Sequence, residues 1–363
     1  MLPLPVQNAI PEAGFPRLSS AKNLLGQVLK LGLAGGVVAY LIFHGDIAWE
    51  PLRASLGEWR YSVPAFLILA MTPLGQFWRW QSLLRSGGLR LPHREVFSFL
   101  MVSKFFNMAF PSYVSGDILR GFYVFRRASD DGEGSAEASG GSFKAGPQTV
   151  VASIVFDRAA GLLPLFVMCL AGLVGSLWHP LPPRLVWSVG VVAGLGVAGL
   201  AFFFLLAYRL PSPPAILLSL SRRIRCDRLL AHLHDVTHYY VRDLRLIANI
   251  LGISFLTQGA GLLSFILFGM ALKVQIPLVG YLILVPLGLM VTAIPVAPAG
   301  LGVGQVAFLS LFRMLGTSQG ANLFTLYSAS CILINLSGAF LYLSSPLPSR
   351  LSQPAKATEF DKE

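Results

Sequence analysis

Six apolar runs in the sequence are each long enough to cross a membrane as a helix. About 20 apolar residues, rising 1.5 Å each, match a hydrocarbon layer of about 30 Å. Charged residues make up only 12% of the chain, against about 25% in a typical soluble domain. Lipid tolerates spanning backbone only when its polar groups are satisfied internally. The sequence therefore predicts an all-α polytopic membrane protein, with spans at 24–43, 61–80, 149–177, 185–208, 246–272 and 321–343.

Three further apolar runs, at 95–110, 277–294 and 303–315, are shorter and border proline- and glycine-containing stretches. Irregular backbone at membrane depth is tolerated only inside protein or beside a water-filled cavity. We therefore expect about eight membrane elements, including re-entrant or broken helices. Pro111 and Pro298 each precede a glycine and then a polar residue, which is weak support for an internal repeat.

Basic residues are concentrated in the loops, and the formal net charge is +11. The positive-inside rule then places both termini of this multi-pass protein in the cytoplasm. We expect a tail at 1–21, a membrane domain at 22–343 and a second tail at 344–363. Within the domain, 128–148 is predicted to be a flexible cytoplasmic loop and 209–245 a basic one. The latter includes an amphipathic, surface-lying helix.

Asp117 and Arg120 follow the first proline break and are three residues apart. If a helix begins at Gly116, the two share a face. One hypothesis is that Asp117 caps this helix and Arg120 is an ordinary cytoplasmic cation. The other is that Arg120 binds a lipid phosphate and Asp117 positions it. The spacing favours neither.

Asp157 and Arg158 lie inside an apolar run, where each charge costs about 2.5–3.5 kcal/mol on insertion scales. Adjacent helical residues point about 100° apart, so they are poor partners for each other. We expect each to meet another group, with Asp117, Arg120 and Lys104 as candidates. The alternative is a pair that snorkels to the cytoplasmic surface.

Two further polar groups are weaker candidates for substrate binding. Lys104 and Asn107 are three residues apart in the run at 95–110, and they either line a polar cavity or reach the interface. The hairpin that contains Gly300, Gly302 and Gln305 either offers backbone N–H groups to an anion or forms a tight interhelical turn.

Metal and cofactor signatures are weak. His232, His234, Asp235 and His238 cluster in sequence, but they lie among arginines and lack the Glu of a zinc-protease motif, which favours an interfacial helix. The three cysteines have no metal-site spacing. We predict no cofactor, no metal, no catalytic residue and no nucleic-acid partner.

Three short motifs occur in order: Pro111 with Gly116, Asp117 and Arg120; Asp157 and Arg158 with Gly161; and Pro298 with Gly300 and Gly302. Together they resemble the flippase-like transmembrane domain of lysylphosphatidylglycerol synthases over residues 22–343. The resemblance implies a lipid-handling inner-membrane domain, which in the synthases is associated with moving aminoacylated phosphatidylglycerol between leaflets.

The resemblance also implies that Asp117, Arg120, Asp157 and Arg158 belong to a central site. Relatives carry an acid where this chain has Gln305, so a charge-paired or proton-coupled role there is in doubt. The tail 344–363 leaves no room for an aminoacyl-transferase domain, and we expect a stand-alone member without lysyl transfer.

The favoured function is a lipid translocase or lipid-binding transporter for an anionic or modified phospholipid or a lipid-linked intermediate. Membrane lipids, through their phospholipid headgroups, are the expected partners, with a lipid-biosynthesis enzyme as a possible further one. The alternatives are an intramembrane transferase, with Asp117 or Asp157 as general base, and an accessory subunit of a lipid-synthesis complex.

Overall fold

The computed structural model describes residues 49–109, 113–130, 147–210, 227–292 and 301–344. These residues form eleven helices and no strand. The helices are α1 (Trp49–Gly57), α2 (Trp59–Ser86), α3 (His93–Ala109), α4 (Tyr113–Asp130), α5 (Pro147–Gly175), α6 (Pro183–Arg209), α7 (Asp227–Arg242), α8 (Leu244–Ala271), α9 (Leu278–Thr292), α10 (Val303–Arg313) and α11 (Gly320–Ser344).

Four of these helices, α5, α6, α8 and α11, are long and apolar enough to cross a membrane, while α9 and α10 are shorter apolar helices. The predicted all-α, multi-pass class is confirmed. The predicted span 61–80 lies within α2, which continues through Pro64 and Pro73. The predicted span 24–43, both tails, most of the loop 128–148 and Pro111 lie outside the described residues.

The helices α2 and α8 pack closely along their length. At Gly75 an added Cβ would overlap the hydroxyl of Thr257, so the glycine permits this approach. Further along α8, Phe265 stacks on Tyr327 of α11 at 4.0 Å and on Phe308 of α10 at 5.3 Å. The helix α8 thus packs on α2 along its length and contacts α10 and α11 through Phe265.

The helix α3 is held between α4 and α11. The backbone N–H of Gly116 donates to Asn107 Oδ1 at 2.8 Å, and an added Cβ at Gly116 would overlap the Ser103 carbonyl. On the other side, Gly338 lies against the Met101 carbonyl. The helix α4 begins at Tyr113 rather than at Gly116, and no acid lies in its first turn. Asp117 is therefore not placed as a cap.

The amphipathic helix predicted within 209–245 is α7, and it packs on protein through one face. Tyr240 is fully buried, and its hydroxyl donates to the Leu83 carbonyl at 3.0 Å. His234 and His238 each bond a backbone carbonyl near the end of α6, where the last carbonyls of a helix lack intrahelical partners. Burying its apolar side chiefly against α5 and α6 makes α7 part of the fold rather than only a surface-lying segment.

Gly338→Ala is expected to destabilise the protein by about 1–3 kcal/mol, as overpacking does. Its Cβ would meet the Met101 backbone, which cannot rotate away as a side chain does. Gly199→Ala in α6 is the control, because a Cβ there meets nothing within 4 Å. Thermal unfolding in detergent measures both. Equal melting temperatures for the two variants would contradict this packing of α3 on α11.

Candidate functional site

A chain of alternating charges runs between three helices in the protein interior. It begins with Arg79 of α2, which is buried. The Arg79 Nε donates to Asp157 Oδ1 of α5 at 2.6 Å, and Nη1 donates to Ser254 Oγ of α8 at 3.1 Å. Arg79 therefore links α2 to both α5 and α8.

The second arginine of the chain is Arg120 of α4. Its Nη2 donates to Asp157 Oδ2 at 3.2 Å, so both oxygens of that carboxylate hold a guanidinium group. Its Nε lies 3.1 Å from Asp117 Oδ1, but their alignment makes this an ion pair without a hydrogen bond. The guanidinium carbon lies 4.7 Å from the ring centroid of Trp80, a distance at which a cation is attracted to the indole face.

The chain of charged side chains ends at Arg158 of α5. Its Nε donates to Asp117 Oδ2 at 2.7 Å. The Arg158 side chain is 46% exposed, whereas the side chains of Asp157 and Arg120 are only 5% and 3% exposed. The charge chain thus has a buried end at Arg79 and an exposed end at Arg158.

Three arginines share two carboxylates in this chain. Removing such charges from water costs several kcal/mol per ion, which is recovered only when partners are well placed. Asp157 and Arg158 are adjacent on α5 and diverge, so each reaches a different partner on α4. Both contacts, Asp157 with Arg120 and Arg158 with Asp117, are among those that the sequence predicts.

One turn beyond Asp157, Gly161 makes room for the first arginine. A Cβ at this position would lie 3.2 Å from Arg79 Nη1, tighter than an ordinary contact. The Gly161 carbonyl also accepts a hydrogen bond from Gln258 Nε2 of α8 at 2.9 Å. The glycine of this motif therefore lets α5 approach the guanidinium group and α8 together.

The charge chain lines a cavity of about 540 Å³. The polar and charged side chains of the lining include Arg79, Lys104, Asn107, Asp117, Arg120, Asp157, Arg158 and Gln258. Apolar side chains of α5, α9 and α11 line the same cavity, among them Leu162, Leu165, Leu289, Phe324 and Ile332. Arrangements of this kind, an apolar pocket with a few convergent polar groups, are typical of ligand sites.

The structure brings together six of the nine residues that the sequence proposes for substrate binding: Lys104, Asn107, Asp117, Arg120, Asp157 and Arg158. Gly302 and Gln305 are not among the described residues that line this cavity. Gln305 accepts a hydrogen bond from the Gly302 N–H at the start of α10, and its Nε2 is 3.5 Å from Thr325 Oγ1. Gly300 lies outside the described residues.

Arg79 is a site residue that the sequence argument missed. It lies at the end of a predicted span among Trp78, Trp80 and several loop arginines, a pattern that is typical of a membrane interface. Gln76, three residues earlier on the same face, also lines the cavity. The sequence signal for Arg79 is its spacing from Gln76, since the two polar residues are three apart inside an apolar run and so share a helix face.

The fold and the cavity define a polytopic all-α membrane protein with an arginine-rich internal site. The chain belongs to the family described as the lysylphosphatidylglycerol synthase TM region, whose sequence model matches residues 27–337. This membership supports a lipid-related function in the membrane. Neither the curated proteins nor the solved structures contain a match to the chain.

Asp157→Asn is expected to destabilise the protein by about 3–5 kcal/mol, because it leaves two buried arginines without their shared carboxylate. The control is Glu95→Gln, which breaks a 2.9 Å pair with Arg127 whose side chains are about one-third exposed. Such an exposed pair is worth about 0–1 kcal/mol. Thermal unfolding in detergent compares the two. An equal loss in both variants would show that the buried chain does not hold the helices together.

Proposed function

We propose that this protein binds and translocates a membrane lipid with an anionic headgroup, and that the headgroup enters the cavity beside Arg158. The observation that carries the proposal is a single cavity that is lined both by four cationic side chains and by a set of apolar ones. Membership of a family named for the membrane region of a lipid-modifying synthase supports a lipid as the ligand.

The cationic side chains of the lining suit a phosphate group. Arginine offers a planar fork of donors that matches phosphate oxygens, and lysine offers a point charge. Arg158 is the most exposed side chain of the charge chain, and Lys104 lines the same cavity. At membrane depth the low dielectric strengthens such contacts relative to water.

The apolar part of the lining suits the lipid tail. Leu162 and Leu165 of α5, Leu289 of α9 and Phe324 and Ile332 of α11 line the cavity. Because these side chains are as apolar as lipid tails, an acyl chain can exchange its bilayer neighbours for them at little cost. A lipid in this cavity would therefore have apolar contacts for its tail and polar contacts for its headgroup.

The carboxylates are poorly arranged for the alternative of an intramembrane transferase. Asp157 is bound through both oxygens to guanidinium groups, and Asp117 is paired with Arg120 and Arg158. A general base needs an oxygen within hydrogen-bond reach of the proton that it removes. Structural and electrostatic roles suit both residues better.

The proposal includes a location and partners. Basic loop residues favour the cytoplasmic membrane, with both termini in the cytoplasm and anionic lipid attracted to that side. An enzyme of lipid synthesis would be the partner that delivers or receives the lipid. The accessory-subunit hypothesis predicts the same copurification but no lipid movement by the purified protein.

Arg158→Gln is expected to slow lipid translocation about tenfold or more, as loss of a charge-assisted contact of about 1.5–3 kcal/mol would do. The assay follows a headgroup-labelled phosphatidylglycerol across the bilayer of reconstituted vesicles. The control is Lys273→Gln, which removes a cation that is 78% exposed and paired with Glu58, outside the cavity lining. It is expected to behave as wild type.

A folded Arg158→Gln protein that moves lipid at the wild-type rate would contradict the translocation proposal. Mass spectrometry of the same vesicles gives a second outcome. A lipid whose mass changes in the presence of the protein would favour the transferase alternative.

A further inference from the structure

We infer that the cavity selects a lipid whose headgroup carries two negative charges, such as a phosphate monoester or a diphosphate, and that Lys104 and Arg158 bind it. This inference rests on the proposed function and assigns its substrate class. It follows from the charge balance of the cavity and from the division of its cations into buried and accessible ones.

The charge balance of the described lining is positive by two. Four cations line the cavity, namely Arg79, Lys104, Arg120 and Arg158, against the two carboxylates Asp117 and Asp157. An uncompensated charge at membrane depth is costly, so a lining of this charge favours a ligand that restores neutrality. A headgroup with two negative charges does so.

The two inner arginines are already engaged. Arg79 and Arg120 are buried and hold the two oxygens of Asp157 at 2.6 Å and 3.2 Å. Arg120 also lies over Trp80. These are positioning residues, because moving either guanidinium toward a ligand would abandon a buried carboxylate.

The other two cations are placed to meet a ligand. Lys104 forms no ion pair with any carboxylate in the described part of the chain, and it lies near Cys331 of α11. Arg158 is the accessible end of the charge chain: its Nε donates to Asp117, and its side chain is 46% exposed. If Arg158 turned toward a ligand, Asp117 would keep its ion pair with Arg120. They come from α3 and α5, so a phosphate between them would contact two helices together.

Neutral donors complete the environment of a multiply charged phosphate. Asn107, Gln258 and Asn335 carry side-chain amides on α3, α8 and α11, and all three line the cavity. Phosphate oxygens accept hydrogen bonds from such groups. A phosphate monoester carries about 1.5–2 negative charges near neutral pH, and a diphosphate offers more acceptor oxygens still.

The same balance disfavours two other headgroups. A phosphodiester such as phosphatidylglycerol carries one negative charge and leaves one cation uncompensated. A lysylated phosphatidylglycerol carries a net positive charge, which adds to the cationic excess of the cavity. Electrostatic selectivity of this kind arises from the like-charge cost as much as from the attractive contacts.

The test is a competition experiment with the full-length protein in nanodiscs of zwitterionic lipid. A fluorescent phosphatidic acid is displaced by phosphatidic acid, phosphatidylglycerol or lysylphosphatidylglycerol with identical acyl chains. We expect phosphatidic acid to bind about tenfold more tightly than phosphatidylglycerol, the size of one charge-assisted contact, and the lysylated lipid to bind more weakly still. Inorganic phosphate, which lacks a tail, should not displace the probe at the same concentration.

Lys104→Gln should reduce the preference for phosphatidic acid over phosphatidylglycerol to about threefold or less, since it removes one of the two excess cations. Lys104→Arg keeps the charge and should keep the preference, and Lys273→Gln is the off-cavity control. If Lys104→Gln does not fold, the wild-type ranking of the three lipids still decides the matter.

Equal wild-type affinity for phosphatidic acid and phosphatidylglycerol would overturn this inference and leave the proposed function standing. Tightest binding of the lysylated lipid would overturn it as well. Displacement by inorganic phosphate would show that the site recognises the free ion instead of a lipid. If none of the three lipids is bound, both the inference and the proposed function fail.

Discussion

The carboxylate of Asp157 is the point on which the polar interior of this protein depends. It receives Arg79 from α2 and Arg120 from α4 while it is carried by α5, so one side chain fixes three helices relative to one another. A buried pair of this kind is not by itself a source of stability, because desolvation offsets the attraction. Once the arginines are inside, however, the acid cannot be removed without leaving them unpaired.

Close backbone approach makes this chain of charges possible. Gly161 admits the Arg79 guanidinium to the surface of α5, and Gly116 lets α4 contact α3 next to Asp117. A larger residue at position 161 would press directly on the Arg79 guanidinium, whereas one at position 116 would meet the Ser103 carbonyl and the Asn107 side chain of α3. The aromatic packing of Phe265, Phe308 and Tyr327 joins α8, α10 and α11. Tyr327 also lines the cavity, so this packed cluster and the charge chain border the same space.

Much of this fold follows from hydrophobic run length alone. The helices α5, α6, α8 and α11 begin and end within three residues of the spans expected from the sequence, because hydrocarbon thickness sets the length of a spanning helix. The partners of Asp157 and Arg158 could also be predicted from the sequence. Neighbouring residues on one helix point in different directions, and charges within an apolar run need counter-charges.

Other features of the site depend on which helices become neighbours, and a single sequence does not reveal those neighbours. Arg79 resembles an interfacial arginine until α5 and α8 cover it. Gln305 resembles a ligand group until its own helix start takes up its side-chain oxygen. The predicted internal repeat and the predicted re-entrant segment stay predictions.

The proposed binding site places a lipid headgroup between Lys104 and Arg158. Photo-cross-linking with a lipid that carries a diazirine beside its phosphate, followed by peptide mapping, tests this placement. We expect the label to concentrate on α3 and α5 around these two residues and to be displaced by unlabelled phosphatidic acid. Label confined to outward-facing side chains such as Trp187 and Phe340 would contradict it, because the lipid would then be solvating the protein and not occupying its cavity.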